Sequence, residues 1–223
     1  MVFKVSCVCL QSLFMKKILT ACTEMFLSLG FKSVTMDDIS KHLGISKKTL
    51  YTHYPNKHTL VKDCVFHFFG YVTQKINTIC ATADNPICEL YEIKVFMMQH
   101  IKNEKISPQF QLQKFYPEIF TELKEKQLHF MIDCVSKSLQ SGLAMGLFRA
   151  NLNIPFIARL YFNGMMGIKD HRLFPPETFL HSQLMTDYLE YHLRAICTPK
   201  GIEIFNTIAV SYTHLTLPTT SPV

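Results

Sequence analysis

The sequence contains no tryptophan and has few of the residues that interrupt regular structure. Its 223 residues include only eight glycines and ten prolines. A turn-rich β-sandwich uses many more of both, so this shortage, together with abundant Leu, Ile, Phe, Met and Lys, predicts an all-α fold. Aromatic residues make up 12% of the chain, which excludes a disordered protein.

Three further features that the sequence lacks reduce the number of functions it can have. No apolar run approaches the roughly 18 residues of a membrane helix, so no membrane partner is predicted. The eight cysteines are scattered and form no C-x-x-C pair. They are interpreted as reduced core thiols of a cytoplasmic protein, without a metal site. The ten histidines form no H-E-x-x-H motif, and no glycine-rich phosphate loop occurs. The sequence therefore predicts neither an enzyme nor a cofactor.

The excess of positive charge lies in the N-terminal quarter of the chain. Residues 1–62 contain nine lysines, no arginine and three acidic residues, whereas residues 63–223 contain fourteen basic and fourteen acidic residues. This asymmetry predicts an N-terminal part that faces a polyanion and a neutral remainder with another role. Charge alone leaves open a lysine-rich surface that is merely solvated.

Both ends of the chain are set apart from the fold. Residues 1–14 carry one lysine and an apolar stretch without a small-x-small cleavage site, and they are interpreted as a doubtful N-terminal extension. Residues 208–223 are interpreted as a non-native or disordered tail, because 210–219 resembles a translated sequencing adapter.

Three short helices are predicted in the N-terminal part. Apolar residues at spacings of three and four predict a helix over 16–29. Thr35, with Asp38 three residues later, forms a near capping box that opens a second helix. A glycine turn follows, and Ser46 can cap a third helix over 47–54. Two short helices joined by such a turn are typical of a helix-turn-helix motif.

The third helix has a core face and a polar face. Leu50 and Tyr54, one turn apart, are predicted to face the core. The residues left outside are Lys47, Lys48, Thr49, Thr52 and His53. A major groove admits one α-helix, which enters by its N-terminal end. Lys47 and Lys48 can donate to guanine O6 and N7, and the Thr49 methyl can touch a thymine methyl.

Helices are also predicted in the rest of the chain. The first of them begins near Lys57 and carries an apolar stripe to Ile79. The others cover residues 87–103, 108–116, 117–139, 154–169 and 177–196.

The string Gly44-Ile-Ser-Lys-Lys-Thr-Leu-Tyr-Thr-His-Tyr-Pro-Asn-Lys57 resembles the DNA-binding domain of the TetR/AcrR transcriptional repressors. The resemblance covers Ile18 to Leu60. Two positions depart from the family pattern: Tyr54 stands where Phe is common, and Lys48 stands where small residues or Pro are frequent. The resemblance implies a helix-turn-helix domain over 15–62 and a helical ligand-binding and dimerisation domain over 63–207.

The resemblance also implies functional residues. Tyr51, His53 and Lys57 stand where the family contacts phosphate, and the helix N-termini at Thr35 and Lys57 add backbone donors. The full predicted DNA-binding set is Thr35, Ser46, Lys47, Lys48, Thr49, Tyr51, Thr52, His53 and Lys57.

A ligand pocket and a dimer interface are expected in the second domain. The predicted pocket residues are Met97, His100, Phe110, Tyr116, Phe120, Phe130, Phe162, Met165 and Met166, although most of them could equally be ordinary core. The helices near 154–168 and 177–196 are predicted to pack against a second copy through Ile157, Leu160, Tyr161, Gly164, Leu184, Tyr188 and Tyr191.

The resulting functional hypothesis is a dimeric repressor. It would bind a pseudopalindromic DNA operator and be released by a small apolar inducer. The alternative is a ligand-independent helix-turn-helix protein that shapes DNA or recruits a partner.

Overall fold

The structure of the chain is a computed structural model that describes residues 2–100 and 108–216, with side chains described for 13–99 and 108–208. The described helices are α1 (Val2–Leu29), α2 (Met36–Leu43), α3 (Lys47–His53), α4 (Lys57–Thr82), α5 (Pro86–His100), α6 (Pro108–Phe115), α7 (Pro117–Ala144), α8 (Ile154–Gly167), α9 (His181–Ile196) and α10 (Pro199–Thr216). In this part of the chain, extended backbone pairs only at an isolated bridge between Phe148 and Cys197. The prediction of an all-α fold is confirmed.

The chain divides into two compact units. The first unit contains the N-terminal helices through Lys75 and the segment that ends at Gln127, and the second contains the rest. The prediction divides the chain once, at residue 62, whereas each compact unit contains segments from two separate parts of the chain. In the structure α6 and the first part of α7 belong to the same unit as α1 to α3.

The core of the first unit is built around α1. Ile18, Cys22 and Phe26 on α1 are at most 1% exposed. They pack with buried residues of the following helices, among them Ile39, Leu50, Tyr54, Leu60, Cys64, Leu112 and Ile119. The spacing of three and four residues on α1 accounts for this, because such residues lie on one face of a helix.

The core of the second unit is built around α5, α7 and α9. Ile87, Leu139 and Leu193 are at most 1% exposed, and they pack with residues of α8 and α10. A smaller cluster surrounds Ile168, Leu184 and Met185.

Three helices differ from their predicted extent by four residues or more, and one of them is α9, which begins at His181 and not at residue 177. The first helix begins at Val2 and not at residue 16, and Phe14 packs against the core of the first unit. α7 ends at Ala144, five residues beyond its predicted end at residue 139. The chain reverses after Ala144, and both Leu147 N–H and Phe148 N–H donate to the Gly142 carbonyl oxygen.

α10 is a helix that the sequence pattern did not predict, and it extends beyond residue 208. Its start carries local signals, since Pro199 occupies the first turn and the Thr198 hydroxyl accepts a hydrogen bond from Gly201 N–H at 3.2 Å. Phe205 is 1% exposed and its ring centroid lies 6.1 Å from that of Tyr91. Packing against the second core holds this helix in place.

None of the described helices is both long and apolar enough to cross a membrane.

Candidate nucleic-acid interface

The first turn of α2 is fixed by a reciprocal cap between Thr35 and Asp38. Asp38 N–H donates to the Thr35 hydroxyl at 3.1 Å, and Thr35 N–H donates back to Asp38 Oδ2 at 2.9 Å. The Thr35 hydroxyl also donates to Asp38 Oδ2 at 2.6 Å. These bonds, first from the side chain and then from the backbone of Thr35, lower the pKa of Asp38. The predicted capping box is confirmed, with Asp in place of the usual Glu.

The turn between α2 and α3 depends on a glycine and a serine. Gly44 has φ 64°, the left-handed conformation in which a side chain is strained. Ser46 then caps α3, because its hydroxyl accepts a hydrogen bond from Thr49 N–H at 3.0 Å. Ile45 N–H donates to the Ser40 carbonyl at 3.1 Å, which closes the turn. The turn is therefore specified by residues within the motif.

α3 is buried on one side and open on the other. Leu50 is 0% exposed, and Tyr54, directly after the helix, is 1% exposed. Lys47, Lys48, Tyr51 and Thr52 are exposed, and Thr49 and His53 are half-buried. The polar face predicted from the sequence is the face that the helix leaves open, so it is available to a duplex.

The two lysines at the start of α3 differ in their surroundings. Lys47 Nζ forms an ion pair with Asp37 Oδ2 on α2 at 2.5 Å, with both side chains about half exposed. Lys48 is exposed and forms no ion pair with any described residue. The Lys47 ammonium group is therefore paired with a carboxylate, whereas the Lys48 side chain is open to other partners.

The residues predicted to contact phosphate also differ in their contacts within the chain and in their exposure. The His53 ring lies 5.7 Å from the Phe14 ring, so it partly serves packing. Lys57 is half-buried and donates to the Lys32 carbonyl at 3.4 Å, and burial lowers its pKa. Tyr51 is 46% exposed, the most open of the three.

This geometry and the sequence agree with a known family of regulators. Residues 18–64 match the family model described as bacterial regulatory proteins, tetR family. The N-terminal part of the chain is therefore similar to the DNA-binding domain of the TetR family. The family is one of DNA-binding transcriptional regulators, and the matched residues include the capped turn and α3.

Two curated relatives have related functions in their names. The HTH-type transcriptional repressor KstR2 of Mycolicibacterium smegmatis is 25% identical over 150 residues, which are 64% of this chain and 71% of the relative. The biofilm operon icaADBC HTH-type negative transcriptional regulator IcaR of Staphylococcus epidermidis is 38% identical over 55 residues, which are 25% of this chain and 30% of that protein.

A solved structure extends the likeness in fold to most of the chain. A transcriptional regulator from Cytophaga hutchinsonii superposes with a TM-score of 0.69 at 18% identity, over 82% of this chain and 98% of the other. At that identity the likeness concerns the fold. The shared fold therefore includes residues of the second unit.

The residues predicted for a ligand pocket fall into both units. Tyr116 and Phe120 pack against the core of the first unit, where the Tyr116 ring lies 6.2 Å from that of Phe31. Phe110 also lies in the first unit and is 60% exposed. The second unit holds Met97, Phe130, Phe162, Met165 and Met166. The side chain of His100 lies outside the described residues.

Within the second unit, two of these residues come together. Met97 and Met165 both pack against the cluster of Ile168, Leu184 and Met185. Phe162 is 8% exposed, and Phe130 and Met166 are half-buried.

The residues predicted for a dimer interface also differ in exposure. Leu160 is 49% and Tyr191 is 73% exposed. Tyr161 and Leu184 are buried within the chain, and Ile157, Gly164 and Tyr188 are half-buried. Gly164 leaves room for the ring of Tyr188, whose hydroxyl donates to the Tyr161 carbonyl at 3.1 Å.

One exposed apolar residue on α8 was missed by the sequence reasoning. Phe156 is 59% exposed and precedes Leu160 by one turn. The spacing of four residues between two large apolar side chains was the available signal, because such residues share a helix face.

Proposed function

We propose that the chain is a transcriptional repressor that binds a pseudopalindromic operator as a homodimer and releases it when a small apolar ligand binds. The observation that carries the proposal is the open face of α3. Its N-terminal lysines are exposed while Leu50 fixes the opposite face in the core. A recognition helix needs this combination, because base readout requires side chains held in a fixed register.

The electrostatics of the first unit support DNA as the partner. The excess positive charge of the chain lies within residues 1–62. Lys48 and Tyr51 stand on the same open surface of α3 and can reach base edges and phosphates. The names of the two curated relatives, a repressor and a negative regulator, favour repression.

Exposed apolar side chains on α8 and α9 support a homodimer. Phe156 and Leu160 form an apolar strip on α8, and Tyr191 is exposed on α9. Burial of such residues against a second copy would remove apolar area from water. A twofold dimer presents two copies of α3, and two half-sites one turn of DNA apart need recognition helices roughly 34–36 Å apart.

The methionine-rich cluster of the second unit supports an apolar ligand. Met97, Met98 and Met165 pack around Ile168, Leu184 and Met185. Methionine side chains adapt to the shape of a guest, which suits a pocket of loose specificity. A ligand that binds better to a form unsuited to DNA would lower operator affinity, and DNA would weaken ligand binding by the same factor.

Selection from random duplexes tests operator binding. Purified protein is incubated with a random DNA library, and bound molecules are sequenced over several rounds. We expect two inverted half-sites whose centres lie one turn of DNA apart. Recovery of single, unpaired sites would reject the dimeric operator, and recovery of no enriched sequence would reject specific binding.

A ligand screen separates the proposal from a ligand-independent DNA-binding protein. Apolar metabolites and drugs are screened by thermal shift, and each hit is titrated against the protein–operator complex. The proposal expects at least one hit that both stabilises the protein and lowers operator affinity. Hits that stabilise the protein without changing operator affinity would favour the ligand-independent alternative.

A further inference from the structure

Three side chains capable of binding a metal ion meet in the second unit. Cys80 lies in the last turn of α4, Glu89 near the start of α5 and Cys134 in α7. The two sulfur atoms are 3.6 Å apart, and one ligand atom from each of the three residues lies within 4.8 Å of the others. Cys80 and Glu89 are nine residues apart and Cys134 lies 45 residues further on, on three different helices, so helix packing creates the cluster.

Glu89 is the unusual member of this cluster. It is 7% exposed, and its Oε1 has no hydrogen-bond partner among the described residues. Ser138, one turn after Cys134 on α7, is 5% exposed and its hydroxyl also lacks a partner there. Because buried polar atoms are normally paired, these two unpaired atoms call for an explanation.

The spacing of the sulfur atoms suits a tetrahedral cation. Two thiolates bound to zinc at about 2.3 Å with tetrahedral angles lie about 3.8 Å apart. The observed separation of 3.6 Å is close to that value. A disulfide would join the same two sulfur atoms but would leave Glu89 Oε1 without a partner. A cation would use all three side chains.

We propose that Cys80, Glu89 and Cys134 form a binding site for a thiophilic divalent cation of the zinc type, with water in the fourth position. Binding displaces the protons of both thiols, and that of Glu89 where it is protonated, to solvent; the two thiolates balance the charge of the cation, and the carboxylate leaves the site with one net negative charge. The Glu89 carboxylate completes a set of two sulfur ligands and one oxygen ligand, and the bound water can reach the Ser138 hydroxyl. Such a cation would link the last turn of α4 to α5 and α7.

A second pair of thiols provides an internal comparison. Cys22 and Cys64 lie in the first unit and are at most 1% exposed, and the interaction with Cys64 lowers the pKa of the Cys22 thiol. No carboxylate joins them in a metal-binding group within the described residues. We therefore expect this pair to bind no cation. The inference does not depend on the proposed operator or ligand, since it is tested without DNA.

The experiment measures zinc in the full chain without a purification tag. The protein is reduced, stripped with a chelator, supplied with Zn²⁺, desalted and analysed for metal content. Co²⁺ is used in parallel, because a thiolate-to-cobalt charge-transfer absorption reports sulfur ligands directly. The variants are Cys80→Ser, Cys134→Ser and Glu89→Gln, and Cys88→Ser serves as the matched control. Cys88 is half-buried and directly precedes Glu89, but it does not belong to the cluster.

The expected result is about one zinc ion per chain in the parent protein and in Cys88→Ser, with the charge-transfer band present in both. Cys80→Ser and Cys134→Ser should lose the metal and the band. Glu89→Gln, which preserves the shape of the side chain, should weaken zinc affinity at least about tenfold. Retention of one zinc ion in all three cluster variants would overturn the proposal. A reduced parent protein that binds no zinc would also overturn the proposal, even if mild oxidation of that protein joins Cys80 to Cys134.

Discussion

In the proposed complex with DNA, Asp37 would compete with the DNA for Lys47. The two side chains form an exposed ion pair between α2 and α3, a contact that typically contributes about 0–1 kcal/mol. Asp37→Asn removes the competitor and one negative charge beside the open face of α3. We expect DNA affinity to rise about 2- to 10-fold, measured by fluorescence anisotropy at fixed salt.

Asp133→Asn is the control for this prediction. Asp133 forms a similar exposed pair with Lys137 at 2.6 Å in the second unit. It should leave DNA affinity unchanged. A lower affinity in Asp37→Asn would mean that the pair positions Lys47 for binding.

Tyr54 buries a polar hydroxyl group together with its aromatic ring. The residue is 1% exposed, and its hydroxyl has no hydrogen-bond partner among the described residues. Burial, with a smaller effect of the Asp63 carboxylate, raises the pKa of this phenol. Tyr54→Phe should therefore raise the free energy of unfolding by up to about 1 kcal/mol in urea denaturation.

Tyr51→Phe is the matched control, because Tyr51 is 46% exposed and its hydroxyl can remain in water. Its stability should change by less than about 0.5 kcal/mol. Loss of stability in Tyr54→Phe would show that the buried hydroxyl has a partner after all.

At the scale of elements, the cap of α2 contributes measurable stability. Thr35→Ala removes the hydroxyl that accepts from Asp38 N–H and donates to Asp38 Oδ2. We expect a loss of about 0.5–2 kcal/mol at neutral pH, measured by urea denaturation. Thr35→Ser should retain most of the stability.

The same cap predicts a dependence on pH. The pKa of Asp38 is lower in the folded chain, so its stabilising effect is complete above the pKa of an unfolded aspartate and is lost as pH falls through the folded value. The stability difference between parent and Thr35→Ala should shrink below about pH 4. A difference that stays constant down to pH 2 would contradict the role of the carboxylate.

The elements around α3 were predictable because their signals are local. Thr35, Asp38, Gly44 and Ser46 specify caps and a turn within a few residues of where they act. The ion pair of Lys47 was not predictable, because its partner Asp37 is ten residues away and lies on another helix. Local spacing predicts which face of the helix is open, whereas tertiary packing determines the partners of its side chains.

Elements that depend on distant packing were predicted less well. α10 was missed, although Phe205 within it is buried against the second core. Tyr116 and Phe120 were predicted to line a ligand pocket, but they pack against the core of the first unit. The cluster of Cys80, Glu89 and Cys134 joins three helices, so a search for short metal-binding spacings could not find it.

At the scale of the whole molecule, the proposed dimer depends on the apolar strip of α8. Leu160→Lys places a charge at the centre of the proposed interface, where no partner is available to compensate for its burial. We expect a shift from dimer to monomer in sedimentation velocity. Leu29→Lys, an exposed leucine in the first unit, is the control and should leave the dimer intact. Dimers in both variants would place the interface elsewhere.

The central claim is that the open face of α3 reads DNA sequence. The most direct test titrates the parent, Lys48→Ala and the control Lys137→Ala against a selected operator and a scrambled duplex at one salt concentration. Lys48→Ala should lose about 1–3 kcal/mol on the operator and far less on the scrambled duplex, and the control should match the parent on both. Equal losses of Lys48→Ala on the two duplexes would contradict the claim, because Lys48 would then serve only general attraction to phosphate.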